Sequence, residues 1–227
     1  MGRWANAILG AVVGAALVLG LPPAEARDAK AKPAAAGAGL KGADAKAADL
    51  ARIEKYLNNM RTMSAHFFQS TSDGGEAEGT LYLARPGRLR VEYSPPTPVL
   101  IVSDGNQVHY YDFELNQVST IGLSATPAAV LVREKYNLSN GDIHVTEYER
   151  GPGVIRVTLQ DSKNPDVGSL ALTFQDSPMT LKQWKVTDAQ GVVTTVALSE
   201  ARQDVALSPK LFDFTDPTRP VSPFGNQ

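Results

Sequence analysis

The segment from Gly79 to Arg85 contains one charged residue, Arg85, among mostly apolar residues. With the two-residue period of a β-strand, Arg85 shares one face with Leu81 and Leu83. A buried guanidinium needs several acceptors, because its five N–H donors cannot shed their charge. The pattern therefore predicts that another part of the chain covers this strand and offers carbonyl or carboxylate oxygens. The alternative is an arginine at the rim of the sheet, with its charged end in water.

Residue types that commonly carry catalysis or bind metals are few and dispersed. The three histidines, His66, His109 and His144, fall on separate predicted strands without the close spacing of a metal site. Glu76 and Glu78 could form a carboxylate pair, but they lie beside a glycine-rich segment that predicts an exposed turn. The chain has no cysteine, which excludes disulfides and thiolate metal sites. We therefore predict no enzymatic activity and no cofactor, with an exported hydrolase as the opposing hypothesis.

The N-terminal residues indicate an exported protein. Arg3 precedes an apolar stretch over residues 7–21, and Ala24-Glu25-Ala26 fits the small-residue rule for signal cleavage. We predict a signal peptide over residues 1–26 and an exported mature protein that begins at Arg27. An Ala-, Lys- and Gly-rich linker over 27–45, one domain over 46–220 and a tail over 221–227 are expected to follow. A net charge of −2 without a basic cluster argues against a nucleic-acid partner.

Two segments have helical patterns. A long helix is predicted over residues 44–63, where apolar side chains recur at helical spacing: Leu50, Ile53, Leu57 and Met60. A short helix is predicted after Thr126, as the N-cap, and Pro127, followed by an apolar run that ends at Val132. This short helix is apolar on every side, which predicts burial on more than one side.

The rest of the domain alternates with period two. Strands are predicted near residues 64–71, 79–85, 88–93, 99–103, 107–112, 116–121, 142–148, 153–160, 168–175, 181–188 and 192–199, joined by short turns. A mainly β fold of about eleven antiparallel strands follows, and a curved sheet of this length curls towards a barrel. Two helices are too few to fill a wide barrel, so we predict an apolar ligand cavity. Its expected lining is Phe67, Leu81, Leu83, Leu89, Val91, Tyr93, Leu170, Leu172 and Phe174.

Several blocks of sequence resemble a known family over nearly all of the predicted domain. They are Gly79-Thr80-Leu81-Tyr82-Leu83-Ala84-Arg85-Pro86-Gly87-Arg88-Leu89-Arg90, Ile101-Val102-Ser103-Asp104-Gly105, Thr126-Pro127 and Lys210-Leu211-Phe212-Asp213-Phe214. On these residues the chain resembles the periplasmic outer-membrane lipoprotein carrier proteins, the LolA-like chaperones of Gram-negative bacteria. The resemblance implies an incomplete antiparallel β-barrel covered by a helical lid.

The resemblance also implies a role for Arg85. In such proteins the arginine holds the lid shut, and by position its acceptors here are the carbonyls of Leu57, Leu131 and Val132. The implied function is to carry acylated lipoproteins from the inner to the outer membrane. The implied partners are an inner-membrane lipoprotein-exporting ABC transporter and, where one exists, an outer-membrane lipoprotein receptor, and the carrier is expected to be a monomer. The chain departs from the pattern usual in the family at Ala128-Ala129 in the short helix, where bulkier residues are frequent, and at His109, where an aromatic residue is common. Both departures imply a larger or softer cavity.

A second hypothesis is a generic periplasmic protein that binds apolar ligands, or a lipid sensor. A sensor with the same architecture is expected to bring a second domain or its own lipid anchor, and this chain has neither the length nor a cysteine for them. The hydrolase hypothesis needs titratable groups inside the cavity, whereas the predicted inward faces are rich in Leu, Val and Ile. The carrier hypothesis is therefore preferred.

Overall fold

The computed structural model describes residues 42–218, so the predicted signal peptide, most of the predicted linker and the predicted tail lie outside the described residues. The described part is mainly β, with few and short helices, as the sequence predicted. The strands are β1 Thr62–Thr71, β2 Glu76–Ala84, β3 Arg88–Tyr93, β4 Val99–Asp104, β5 Gln107–Asp112, β6 Gln117–Gly122, β7 Ile143–Gly151, β8 Val154–Asp161, β9 Gly168–Gln175, β10 Thr180–Asp188 and β11 Val193–Gln203.

All eleven strands form one antiparallel sheet. The order across the sheet is β6-β5-β4-β3-β2-β1-β11-β10-β9-β8-β7, so two meanders of sequential strands join where β1 pairs with β11. The outermost strands β6 and β7 do not pair with each other, and the sheet stays open. The predicted fold class, an incomplete antiparallel barrel, is therefore confirmed.

The first helix, α1 Gly42–Asn59, covers the inner face of the sheet with the buried side chains of Ile53 and Leu57. It begins within the predicted linker, where alanines of high helix propensity continue the helix towards the N-terminus. It ends four residues before the predicted Met63, because the chain pairs with β2 from Thr62 onward. Met63 fits both patterns, because it follows the buried Met60 by three residues, as on one face of a helix, and alternates with the buried Ala65 and Phe67, as on one face of a strand.

The segment from residue 123 to 142, which we call the strap, connects the two outermost strands β6 and β7. It contains a 3-10 turn over Leu123–Ala125 and the short helix α2 Ala128–Leu131. The predicted N-cap at Thr126 is wrong, because Pro127 directly precedes α2 and the Thr126 hydroxyl donates to the Leu123 carbonyl at 2.8 Å instead of accepting from an α2 amide. Val130 and Leu131 are buried, while Ala129 is partly exposed.

The apolar core lies between the inner face of the sheet, α1 and the strap. The alternation in the sequence determines which side chains enter it, since successive residues of a strand point to opposite faces. Side chains that alternate with outward-pointing neighbours and are buried here include Ile155, Val157, Leu159, Leu170, Leu172, Phe174 and Trp184. Strap and α1 thus face one continuous apolar surface of the sheet.

Candidate functional site

Arg85 directly follows β2 and lies on its inner face with Leu81 and Leu83, in agreement with the two-residue period. Only 9% of the residue is exposed. Its backbone amide donates to the Arg61 carbonyl at 2.9 Å, which extends the pairing of β1 with β2 by one step. The side chain therefore enters the apolar core and does not reach water at the rim.

The guanidinium of Arg85 binds groups from α1 and from the strap. Nη1 donates to the carbonyl of Leu57, and Nη2 donates to the carbonyl of Leu131 at 2.9 Å and to the hydroxyl of Tyr136 at 3.1 Å. The Tyr136 ring also lies against the cation, 4.8 Å from its centroid to the guanidinium carbon. Burial lowers the pKa of Arg85 from its ordinary value, but the side chain keeps its proton at neutral pH.

Helix ends explain why neutral carbonyls can hold this cation. The last four carbonyls of an α-helix have no partner within the helix and carry the negative end of its dipole. Leu57 lies in the last turn of α1, and Leu131 is the last residue of α2. Arg85 thus supplies hydrogen bonds and positive charge where two helices end. Among the described residues, its Nε atom has no hydrogen-bond partner.

The observed hydrogen-bond partners of Arg85 differ from the expected ones at two residues. The Val132 carbonyl accepts from the backbone amide of Gly87 at 2.9 Å, so the turn after β2, and not the guanidinium, binds it. Tyr136 contacts Arg85 but was missed by the sequence reasoning. It is the one aromatic residue in the strap, which is the signal that could have identified it.

A small apolar cavity of about 50 Å³ lies between the sheet and α2. Five residues predicted to line the cavity do so: Phe67, Leu81, Leu89, Val91 and Leu170. The rest of the lining comes from α2 and from neighbouring strands, and comprises Gln69, Ala128, Leu131, Trp184, Val186, Thr194 and Val196. The strap thus forms one wall of the cavity through two side chains of α2.

The other four residues predicted to line the cavity are packed elsewhere in the core. Leu83 and Leu172 are fully buried without bordering the cavity. Phe174 meets the ring of Tyr56 edge to face, with 5.5 Å between the centroids, beneath α1. Tyr93 donates its hydroxyl to Gln69 Oε1 at 2.8 Å. Alternation placed these side chains on the correct face, but it could not show how deeply α1 and neighbouring side chains fill the space above each one.

Two phenols on the inner face of the sheet, the buried Tyr110 and the partly buried Tyr93, have raised pKa values. Burial raises the pKa of Tyr110 to about 12, and burial also raises the pKa of Tyr93 far above its ordinary value. The Tyr110 hydroxyl has no hydrogen-bond partner among the described residues. Both side chains are uncharged at neutral pH, as an ordinary phenol is, and the raised pKa values extend this neutral state to more alkaline pH.

The histidines and the paired glutamates lie away from the cavity. His109 is on the outer face of β5, where its ring stacks on Phe214 with centroids 4.6 Å apart, so the expectation that it softens the cavity is wrong. The physical reason is the alternation of β5, which points its neighbours Val108 and Tyr110 inward. Within residues 42–218 no three His, Asp or Glu side chains are grouped closely enough to hold a metal ion.

Glu76 and Glu78 belong to β2 and not to the predicted turn, although both are exposed as expected. The turn before β2 ends at Gly75, because the Thr71 amide donates to the Gly75 carbonyl at 2.8 Å and so closes the hairpin there. The two carboxylates therefore point from the outer face of the sheet into water.

An ion-pair cluster attaches the first half of α1 to β7 and to the turn after β9. Asp49 is buried and accepts from Arg150 and from the hydroxyl of Tyr148, the latter at 2.7 Å. Asp176 accepts from both Arg52 and Arg150, each at 2.8 Å. Burial acts to raise the pKa of Asp49, but hydrogen bonds from Arg150 and Tyr148 and the nearby guanidinium charges outweigh it, so the pKa is lowered. Helix α1 is thus bound at both ends, by Arg150 in its first half and by Arg85 in its last turn.

Together these features define a class of protein: an open antiparallel half-barrel whose inner face is covered by α1 and the strap over an apolar cavity. No helix within the described residues is both long and apolar enough to cross a membrane. The sequence model of the family described as "Outer membrane lipoprotein carrier protein LolA" matches residues 58–215. The chain belongs to this family, as the resemblance of its motifs predicted.

Two relatives agree with this assignment. The chain is similar to the outer-membrane lipoprotein carrier protein of Chromobacterium violaceum, at 32% identity over 81% of this chain and 91% of the relative. It is also similar to the protein of the same name from Methylococcus capsulatus, at 30% identity over 73% of this chain and 83% of the relative. A solved LolA superfamily protein from Nitrosomonas europaea covers 72% of this chain and 97% of its own at 10% identity, with a TM-score of 0.42. That last likeness adds nothing to the assignment.

Proposed function

We propose that this protein is a periplasmic carrier that takes acylated lipoproteins from the inner to the outer membrane and shelters their acyl chains beneath the strap. Membership of the lipoprotein carrier family supports this proposal. The observation that carries it is the apolar cavity walled by Ala128 and Leu131 of α2, a helix whose last carbonyl is bound by the buried Arg85.

Acyl chains need such shelter because water excludes them. Each buried methylene is worth roughly 0.8 kcal/mol, so the chains of one lipoprotein sum to tens of kcal/mol. Non-covalent affinity saturates near about 20 kcal/mol, and a carrier that bound so tightly would not release its cargo. A carrier therefore needs a closed state that competes with the ligand for the same space.

The cavity volume indicates that cargo and closed strap exclude each other. An apolar cavity of about 150 Å³ holds one benzene ring, whereas the cavity here is about 50 Å³. An acyl chain is larger than a benzene ring, so loading requires side chains such as Leu131 to move away from the sheet. We infer that the hydrogen bonds of Arg85 set the cost of this opening and act as a latch.

The carrier proposal includes its partners. An inner-membrane lipoprotein-exporting ABC transporter would load the open carrier, and acceptance at the outer membrane, by a receptor where one exists, would follow when the strap closes again. The protein is proposed to act as a monomer and to catalyse no reaction. A generic binder of apolar ligands would share the cavity but would take no lipoprotein from a transporter.

The test is a release assay. Inner-membrane vesicles holding the exporter and a labelled lipoprotein are energised with ATP, and the purified protein is added. The carrier proposal predicts that labelled lipoprotein appears in the soluble fraction in complex with this protein. A matched lipoprotein without acyl chains is the control. Saturable binding of an apolar dye without any release of lipoprotein would support the generic binder and contradict the carrier.

A further inference from the structure

The strap is fastened in two different places. Its first half, which includes α2, is bound by the turn after β2: Arg85 holds the Leu131 carbonyl, and the Gly87 amide donates to the Val132 carbonyl at 2.9 Å. Its second half is bound by α1. Displacement of the first half would therefore break the bonds to the turn after β2, whereas displacement of the second half would break the bonds to α1.

The bonds between α1 and the second half of the strap form a reciprocal clamp. The Asn58 amide group donates to the Tyr136 carbonyl at 3.0 Å, and its oxygen accepts from the Tyr136 amide at 2.8 Å. One turn earlier on α1, the carboxylate of Glu54 accepts from the Leu138 amide at 2.8 Å. None of these three bonds involves Arg85, so loss of the guanidinium bonds leaves them intact.

A salt bridge from Arg133 to Asp161 holds the same half of the strap to β8, whereas a longer contact from Arg133 to Asp142 lies within the strap. Arg133 lies 3.1 Å from Asp161 and 3.6 Å from Asp142. Both carboxylates lie outside the cavity lining, and so do all residues of the strap after Leu131. Movement of the first half alone is therefore sufficient to uncover the cavity.

Tyr136 belongs to both fastenings. Its backbone is held by Asn58, whereas its fully buried hydroxyl lies 2.6 Å from the Val130 carbonyl and accepts from Arg85. The phenol is thus the link between the half of the strap that lies on α1 and the half that walls the cavity.

We propose that Tyr136 is the joint of the strap and a positioning residue for the latch. Residues 133–142 stay on α1, while α2 swings away from the sheet. Tyr136 presents its hydroxyl and ring to Arg85, and so returns the Leu131 carbonyl to the guanidinium on closing. The assignment of this motion to cargo loading rests on the proposed carrier function; the division of the strap into two parts does not.

Hydrogen exchange of single amides, followed by NMR, tests the joint. The Gly87 amide reports on α2, because its acceptor is the Val132 carbonyl, and the amides of Tyr136 and Leu138 report on the clamp. Tyr136→Phe should speed exchange at Gly87 by roughly tenfold or more, the effect of losing the hydrogen bonds that its hydroxyl makes with the Val130 carbonyl and with Arg85, and leave Tyr136 and Leu138 protected at the level of the parent.

Asn58→Ala should give the opposite pattern, with faster exchange at residues 136 and 138 and little change at Gly87. Asn137→Ala is the matched control, since that side chain accepts only from the amides of Ser139 and Asn140 within the strap. It should alter neither set of reporters. Acceleration of all three reporters to the same extent by both variants would overturn the joint, because the strap would then move as one body.

A second experiment tests whether cargo moves only the first half of the strap, by adding a synthetic triacylated lipopeptide to the parent protein and measuring exchange of the same amides. The expected result is faster exchange at Gly87 with unchanged exchange at Tyr136 and Leu138. Equal acceleration at all three amides would contradict the joint while leaving the carrier proposal intact. Failure of the lipopeptide to bind would contradict the carrier proposal, and the two variants in the free protein would still decide on the joint.

Discussion

The side chain of Arg85 donates to the main-chain carbonyl of Leu57, in the last turn of α1. A helix end lacks internal partners for its carbonyls, so a buried cation and a helix terminus satisfy each other. Because the same guanidinium also holds Leu131, the position of α2 depends on a residue of the sheet. This geometry makes Arg85 the place where closure of the cavity can be altered without changing its lining.

The first prediction concerns Arg85→Leu. Charge-assisted hydrogen bonds are worth about 1.5–3 kcal/mol each, so their loss should favour the open strap over the closed one. The variant should still bind an acylated lipoprotein but transfer it to acceptor membranes more slowly, by about tenfold or more for a shift of 1.4 kcal/mol. Arg85→Lys should fall between, since an ammonium cannot reproduce the planar fork. The measurement is transfer of labelled lipoprotein from preloaded carrier.

Arg88→Leu is the control for this prediction. Arg88 lies in the same hairpin but is exposed, so its removal changes the charge by the same amount without affecting the strap. It should transfer cargo at the parent rate. Equal rates for the parent and for all three variants would show that Arg85 does not act as a latch.

The strands were predictable because one face of the sheet is buried. A strand with one apolar face must alternate, and a shift of one residue would expose the whole face to water. The same alternation placed Arg85 inward with Leu81 and Leu83. The end of α1 was not predictable to the residue, because Met63 fits the helical spacing from Met60 as well as the alternation with Ala65 that begins β1.

Depth within the core and contacts between distant segments were not predictable from local pattern. Alternation assigns a face, but which side chains border a cavity depends on the elements that cover them. The ion pair of Asp49 and Arg150 joins residues 101 positions apart, and the contact of Arg85 with Tyr136 joins residues 51 positions apart. Neither pair shares a local period, so only the folded chain brings its members together.

The second prediction compares two leucines on one face of β2. Leu81 borders the cavity, and Leu83, also fully buried, does not. Leu83→Ala should cost about 2–5 kcal/mol of unfolding free energy, as expected for a packed core, whereas Leu81→Ala should cost less because part of its surface already lacks neighbours. Leu81→Ala should also increase binding of an apolar dye. Equal losses of stability and unchanged dye binding in both variants would refute this division of the core.

The third prediction concerns Gly79 in β2. A Cβ atom there would collide with the carbonyl oxygen of Glu92 in β3 and lie 2.9 Å from the Phe67 ring. Gly79→Ala should therefore force the two strands apart and lower the thermal midpoint. Gly151→Ala, at a position with no atom within 4 Å of the added carbon, should leave it nearly unchanged. Similar midpoints for the two variants would mean that β2 and β3 tolerate a side chain at this contact.

The fourth prediction is a pH dependence of stability that originates at Asp49. Its lowered pKa means that the folded protein favours the carboxylate, through Arg150, Tyr148 and Arg52. The resulting stabilisation is present above the unfolded pKa of about 4 and is lost as the pH falls through the lower folded value. Urea denaturation should therefore show a large deficit for Asp49→Asn at pH 7, which shrinks as the pH falls from 5 towards 2.

The control for the pH dependence is Asp142→Asn. Asp142 also pairs with cations, Lys163 at 2.8 Å and Arg133 at 3.6 Å, but its side chain is exposed at the surface, where ion pairs contribute little. Its replacement should leave the denaturation curves close to those of the parent at every pH. If the deficit of Asp49→Asn stayed constant from pH 7 to pH 2, its origin would be packing and not the ionised carboxylate. If Asp142→Asn matched it at pH 7, burial of Asp49 would have no special effect on the attachment of α1.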